Sequence, residues 1–228
     1  METAYRTPVA VLGDDAQAAF LTRTYTHLLG AILLFAGIEI FLFTSGLAAP
    51  IASAMLSVNW LFVLGGFVIA GTIASSAAAR AETKGKQYAA LFAYVLVEAL
   101  IFVPLLFIAN DIAPGAIGNA AWVTVVGFSA LTAIAFFSGK DFSFLGTFIK
   151  WAGILAIIAI VGGVLFGFNL GLWFAVAMVG LAGASILWTT SRILREYPQD
   201  RYVSASLELF ASVALMFWYV LTIFMSRD

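Results

Sequence analysis

Three glutamates and one histidine are the only acidic or imidazole side chains inside the long apolar runs of this chain: His27, Glu39, Glu98 and Glu208. A charge placed in hydrocarbon is costly, so each is a candidate for function. Glu208 is the most informative. Ser204, Glu208 and Ser212 recur at intervals of four and line one helix face. Ser185, Thr189 and Arg192 form a matching stripe in the preceding run, and Thr72, Ser76 and Arg80 form another in the second. Three polar stripes at one depth predict a hydrophilic cavity opening to the cytoplasm, where a cation or Arg80 pairs with the Glu208 carboxylate. The competing reading is structural. Serine and threonine hydroxyls bond to their own helix or join helices, and Arg80 snorkels to the interface. Glu98 stands between the same two readings, with Tyr94 one turn before it as a donor. Glu39 is nearer the outer interface and reads as a partly solvated structural residue. His27 reads as an interfacial hydrogen-bonding residue rather than a pH sensor.

Other chemistries fail on inventory. No cysteine is present, which removes disulfides, cysteine–zinc sites and a thiol nucleophile. One histidine cannot build a two-histidine zinc site, and neither a G-x-S-x-G elbow nor a P-loop occurs. The last apolar run has no lysine for a retinal, and no pair of membrane-embedded aspartates exists for a protease. The chain therefore reads as a non-enzyme without a cofactor. For metals, Glu208 is a weak candidate, because calcium prefers several hard oxygen ligands. The net charge of −1 supplies no field to attract nucleic acid.

The elements that must position these residues follow from composition. The chain has 228 residues, 63% hydrophobic and only 10% charged, with a mean hydropathy of +1.06. A water-soluble fold of this length cannot hide so much apolar surface; a lipid bilayer can solvate it. Seven segments are long enough to cross as helices: 22–45, 60–80, 88–109, 120–138, 147–168, 171–190 and 203–225. They are continuous apolar runs rather than the alternating strands of a barrel. The expected fold is all-α, a seven-helix transmembrane domain over 22–228 preceded by a short cytoplasmic arm at 1–21. That arm lacks the basic stretch and apolar core of a cleavable signal. Alternating the loops puts ten of the eleven basic residues, from Arg6 to Arg201, on one side and only Arg227 on the other. By the positive-inside rule the N-terminus is cytoplasmic and the C-terminus outside. Pro104 is expected to kink the third span. Gly163, Gly167 and Gly180 are expected to serve helix packing.

The segments LTRTYTHLLGAILLF, GKDFSFLGTFIK, SILWTTSRILREY and SLELFASVALMFWYVL resemble, in order and spacing, the Bax inhibitor-1 family. The ending MSRD is similar to its bacterial YccA-like branch. The resemblance spans nearly the whole chain. It implies a seven-helix bundle with the last helix central, and in several members a cation pathway, chiefly a calcium leak. It also implies a bacterial inner membrane and, for the YccA-like branch, regulation of a membrane-anchored ATP-dependent protease. The family's pathway uses two aspartates, one ending span six and one in the last span, with an arginine from span two. The matching positions here are Thr189, Ser212 and Arg80. The carboxyl pair is absent, so its coupled titration cannot operate, and Glu208, one turn before Ser212, is the residue placed to replace the lost charge. Two functions follow. One is a passive leak for calcium or protons lined by Glu208, Thr189, Ser212, Arg80 and Glu98. The other is a non-conducting regulator acting through membrane contacts or the N-terminal arm.

Overall fold

A computed structural model describes residues 8–81 and 83–226, apart from the side chains of Trp60, Leu64, Phe67 and Ala79. Arg6, Arg227 and the closing Asp228 therefore lie outside the described residues. Eight α-helices follow one another: α1 (Asp14–Thr44), α2 (Ala48–Leu56), α3 (Trp60–Arg80), α4 (Lys84–Ile112), α5 (Ala116–Phe137), α6 (Leu145–Phe166), α7 (Gly171–Arg195) and α8 (Tyr202–Met225). Seven are long and apolar enough to cross a membrane, all except α2.

Local signals set the helix ends. Asp14 and Asp15 occupy the first turn of α1, where the helix dipole favours acids, so the helix starts well before residue 22 and takes in part of the expected arm. The Asn59 side chain caps α3 by accepting from the Leu61 N–H at 2.9 Å, and Thr83 caps α4. Gly115, at φ 87°, makes the left-handed turn into α5 that a side chain would resist. The connector AAPIASAMLSVN is not a simple loop. Nine of its residues form α2, too short to span, with Pro50 tolerated in the first turn. Helix α4 runs continuously through Pro104.

α8 is the hub, packing against α7, α1, α5, α4 and α3. It and α4 are the most buried of the spans, whereas α6 is largely exposed. This distribution explains the uniform hydrophobicity of the outer helices, whose apolar faces are solvated by lipid rather than by protein. Leu207, Leu209, Phe210 and Leu221 of α8 are fully buried. α3 and α6 touch only lightly. Two glycines permit close helix contact: Gly146, where a Cβ would stand 2.7 Å from Trp188 Nε1, and Gly183, 3.2 Å from Leu131. Gly163 makes room for the turn that follows its own helix, since its Cβ would meet the Phe168 carbonyl at 3.1 Å, whereas Gly167 and Gly180 face open space.

Every described basic residue, nine of the chain's eleven, sits at one end of the bundle. The segment before α1 is pinned there. Val9 is fully buried and donates its N–H to the Tyr197 carbonyl at 2.8 Å. Pro8 bridges to Pro198.

Candidate functional site

At the basic end, α7 and α8 place Arg192 opposite Glu208. The guanidinium Nη1 donates to Glu208 Oε2 at 3.1 Å, and its Nε donates to Glu196 Oε2, also at 3.1 Å. Arg192 is thus shared by two carboxylates, one on its own helix and one on the hub. Its plane is held by aromatic rings, with Cζ 4.6 Å from the Trp188 ring centroid and 5.4 Å from that of Tyr197. Burial pushes the Tyr197 phenol well above its ordinary value, and the Glu208 carboxylate beside it pushes it further. Tyr197 therefore remains a hydrogen-bond donor towards Glu208. The side chains of Arg192 and Glu208 are 27% and 33% exposed, so the pair is wetted from one side.

These residues line a cavity of about 370 Å³, with Ser75, Arg201 and Ser204 among its other walls. A second cavity of about 370 Å³ lies beyond it, and Ser75 belongs to both. Val68, Gly71, Thr72, Ser76 and Tyr94 complete that middle space. Tyr94 in turn lines a third cavity of about 680 Å³, which runs past Glu98, Ser185 and Ser212 to Thr222 and Ser226 at the far end of α8. Ser75 lines the first two cavities and Tyr94 the last two, so the three are neighbours in a series from the charged mouth to the opposite end of the bundle. In the wall of the third cavity two hydroxyls meet. Ser212 Oγ donates to the Glu208 backbone carbonyl at 3.1 Å and lies 3.0 Å from Ser185 Oγ.

The structure brings some predicted residues together and separates others. Glu208, Ser212 and Glu98 line the cavities. Arg80 does not reach Glu208. It ends α3 in an exposed position, and Arg192 is the ion partner of Glu208 instead. The physical reason is contact: α8 packs far more closely on α7 than on α3. Thr189 is buried at 2% exposure and lines none of the three cavities. From α3, Ser75 and Ala78 line the Glu208 cavity, and Arg80 does not. Glu39, expected near water, is 7% exposed, and neither carboxyl oxygen has a hydrogen-bond partner among the described residues. Leu42, Ala48, Ala52 and Val103 pack together at that end of α1, where α2 displaces solvent. His27 is an interfacial hydrogen-bonding residue. Its Nδ1 donates to the Arg23 carbonyl at 2.6 Å, which leaves Nε2 to accept from the Tyr88 hydroxyl at 2.8 Å.

Among the described residues no group of three His, Asp or Glu gathers to hold a metal. The mouth offers the Glu196 and Glu208 carboxylates to a passing ion, together with hydroxyls from Tyr197 and Ser204.

A bundle of seven membrane-length apolar helices, with ionisable groups turned inward on a central helix, defines a multi-pass integral membrane protein in contact with the lipid bilayer. The family model described as "Inhibitor of apoptosis-promoting Bax1" matches residues 17–228, and the chain belongs to that Bax inhibitor-1 family. No curated protein matches the chain.

Proposed function

We propose that this protein is a passive cation leak whose inner mouth is the Arg192–Glu208 pair, with calcium and protons as the ions it passes. The observation that carries this reading is the series of three neighbouring cavities with the Glu196 and Glu208 carboxylates at the mouth and Glu98 midway. The basic end faces the cytoplasm by the positive-inside rule. The membrane is the bacterial inner membrane, as the YccA-like ending implies. Arg192 acts as a tethered cation occupying the site that a mobile cation needs. Glu196, already bonded to the same guanidinium, gives Arg192 a second place to rest when Glu208 is vacated. Entry at the mouth is therefore an exchange of one cation for another. The sparse hydroxyl ligands make the site weak, suited to passage rather than storage.

The test is flux in liposomes reconstituted with purified protein, following calcium and protons across a range of pH. Arg192→Ala is expected to raise the calcium leak several-fold and Glu208→Gln to lower it. No flux above empty liposomes at any pH, with the protein shown to be folded, sinks the reading.

The second reading, a non-conducting regulator of a membrane-anchored ATP-dependent protease, draws on the docking of Val9 against Tyr197. A partner that grasps the N-terminal segment acts directly on a wall of the mouth. Deleting residues 1–20 then abolishes regulation while Glu208→Gln leaves it intact.

A further inference from the structure

The third cavity has a composition that the passage of small ions does not require. Its volume of about 680 Å³ is that of a site for a small organic molecule. Five aromatic rings stand in its walls: Tyr94, Phe102, Phe174, Trp218 and Tyr219. Some are fixed by one another. Phe102 meets Trp218 edge-on at 4.9 Å, and Phe174 meets Tyr219 edge-on at 5.9 Å. Among the described lining residues Glu98 is the one charged group, and no basic residue accompanies it. Glu98 is 4% exposed and lies at the deep end, while Asn169, Thr222 and Ser226 mark the rim. Two selections follow. A carboxylate without a basic neighbour favours a cation over an anion or a neutral molecule. Apolar and aromatic walls favour a cation whose charge is spread over a hydrophobic body, because ring faces attract such cations and cost them little hydration.

We propose that the outer cavity is a binding site for lipophilic organic cations, with Glu98 as the counter-ion and Phe174, Trp218 and Tyr219 as the aromatic wall. The site does not depend on ion conduction. Ser185 and Ser212, in hydroxyl contact at 3.0 Å, belong to its wall and not to that of the charged mouth.

The experiment is equilibrium binding of tetraphenylphosphonium to the full chain in lipid nanodiscs, corrected with empty nanodiscs. Triphenylphosphine oxide serves as a neutral probe of similar body. The expected result is saturable binding of the cation, at least about tenfold tighter than the neutral probe, the scale of one charge-assisted contact. Glu98→Gln should weaken the cation about tenfold or more and leave the neutral probe unchanged. Phe174→Leu, which keeps an apolar side chain and removes a ring, should weaken it several-fold. Glu39→Gln replaces another buried carboxyl outside the cavity and should change neither. Equal affinity for the two probes overturns the proposal, and this comparison needs no variant to fold. Equal cation binding by wild type and Glu98→Gln overturns it as well. Retention of phospholipid that neither probe displaces would mark an acyl-chain site, and that too overturns it. Binding is read without flux, so a failure here is distinct from a failure of the leak.

Discussion

Arg192→Ala and Glu208→Gln break the same ion pair, yet the structure assigns them unequal costs. At an effective dielectric near 20, two unit charges about 4 Å apart attract by about 4 kcal/mol. Desolvation and side-chain ordering offset most of this, and both side chains are about a third exposed, so the net coupling is about 1 kcal/mol. The asymmetry comes from what each variant leaves behind. After Glu208→Gln, Arg192 keeps Glu196 and its two aromatic rings, so the expected loss is about 0.5 kcal/mol. After Arg192→Ala, Glu208 keeps only the Tyr197 hydroxyl close by, with Arg201 elsewhere on the cavity wall. A half-buried carboxylate deprived of its donor costs about 1–3 kcal/mol. The assay is reversible unfolding of the single and double variants in mixed micelles, analysed as a double-mutant cycle. The reasoning fails if Arg192→Ala is no more destabilising than Glu208→Gln. It fails equally if the coupling energy is below about 0.3 kcal/mol, within the usual additivity of independent sites.

Gly146→Ala should cost about 1–3 kcal/mol, because its Cβ would stand 2.7 Å from Trp188 Nε1. Trp188 underlies Arg192, so a shifted Trp188 fluorescence together with altered flux checks that the strain reaches the mouth. Val9→Ala should lose about 1–2 kcal/mol from a fully buried site, read as faster proteolysis of the N-terminal segment. Asp141 accepts the Ser143 N–H at 2.9 Å, and that bond holds its carboxyl below the usual aspartate value. Its folded value is depressed, so its contribution to stability is present above the ordinary value and lost as pH falls through the depressed one. Thermal unfolding should therefore separate wild type from Asp141→Asn at neutral pH and merge the two in strong acid.

The seven spans were legible because the criterion is physical and coarse. A helix must cover the hydrocarbon thickness, and few charges can enter it. Helix ends were less legible. α1 extends to Asp14 because acids suit a helix N-terminus, whereas a hydropathy pattern stops at the first polar residues. α2 escaped because nine apolar residues are too few to span and read as a connector. Periodicity put Glu208 and Ser212 on one face of α8, and it also put Arg192 in the facing stripe of α7. It does not say whether α7 or α3 lies against that face, so the sequence offers Arg80 the partnership that Arg192 holds. The large cavity was illegible for a related reason. Its walls come from α4, α6, α7 and α8, and the space among four helices is written in none of them singly.

The hub position of α8 has a consequence for how the protein is made. Helices enter the membrane in chain order, so α1 to α7 are inserted before the helix on which five of the others pack exists. Until then Arg192 lacks Glu208, and Phe102 lacks Phe217 and Trp218. The growing chain is a ring of spans around an unfilled axis, open to lipid, to premature pairing, and to whatever factor shelters unfinished membrane proteins. Assembly is decided late and by one segment. A lesion in α8 should therefore leave the preceding spans inserted but unassembled, and visible to quality control as a full-length polypeptide that never closes.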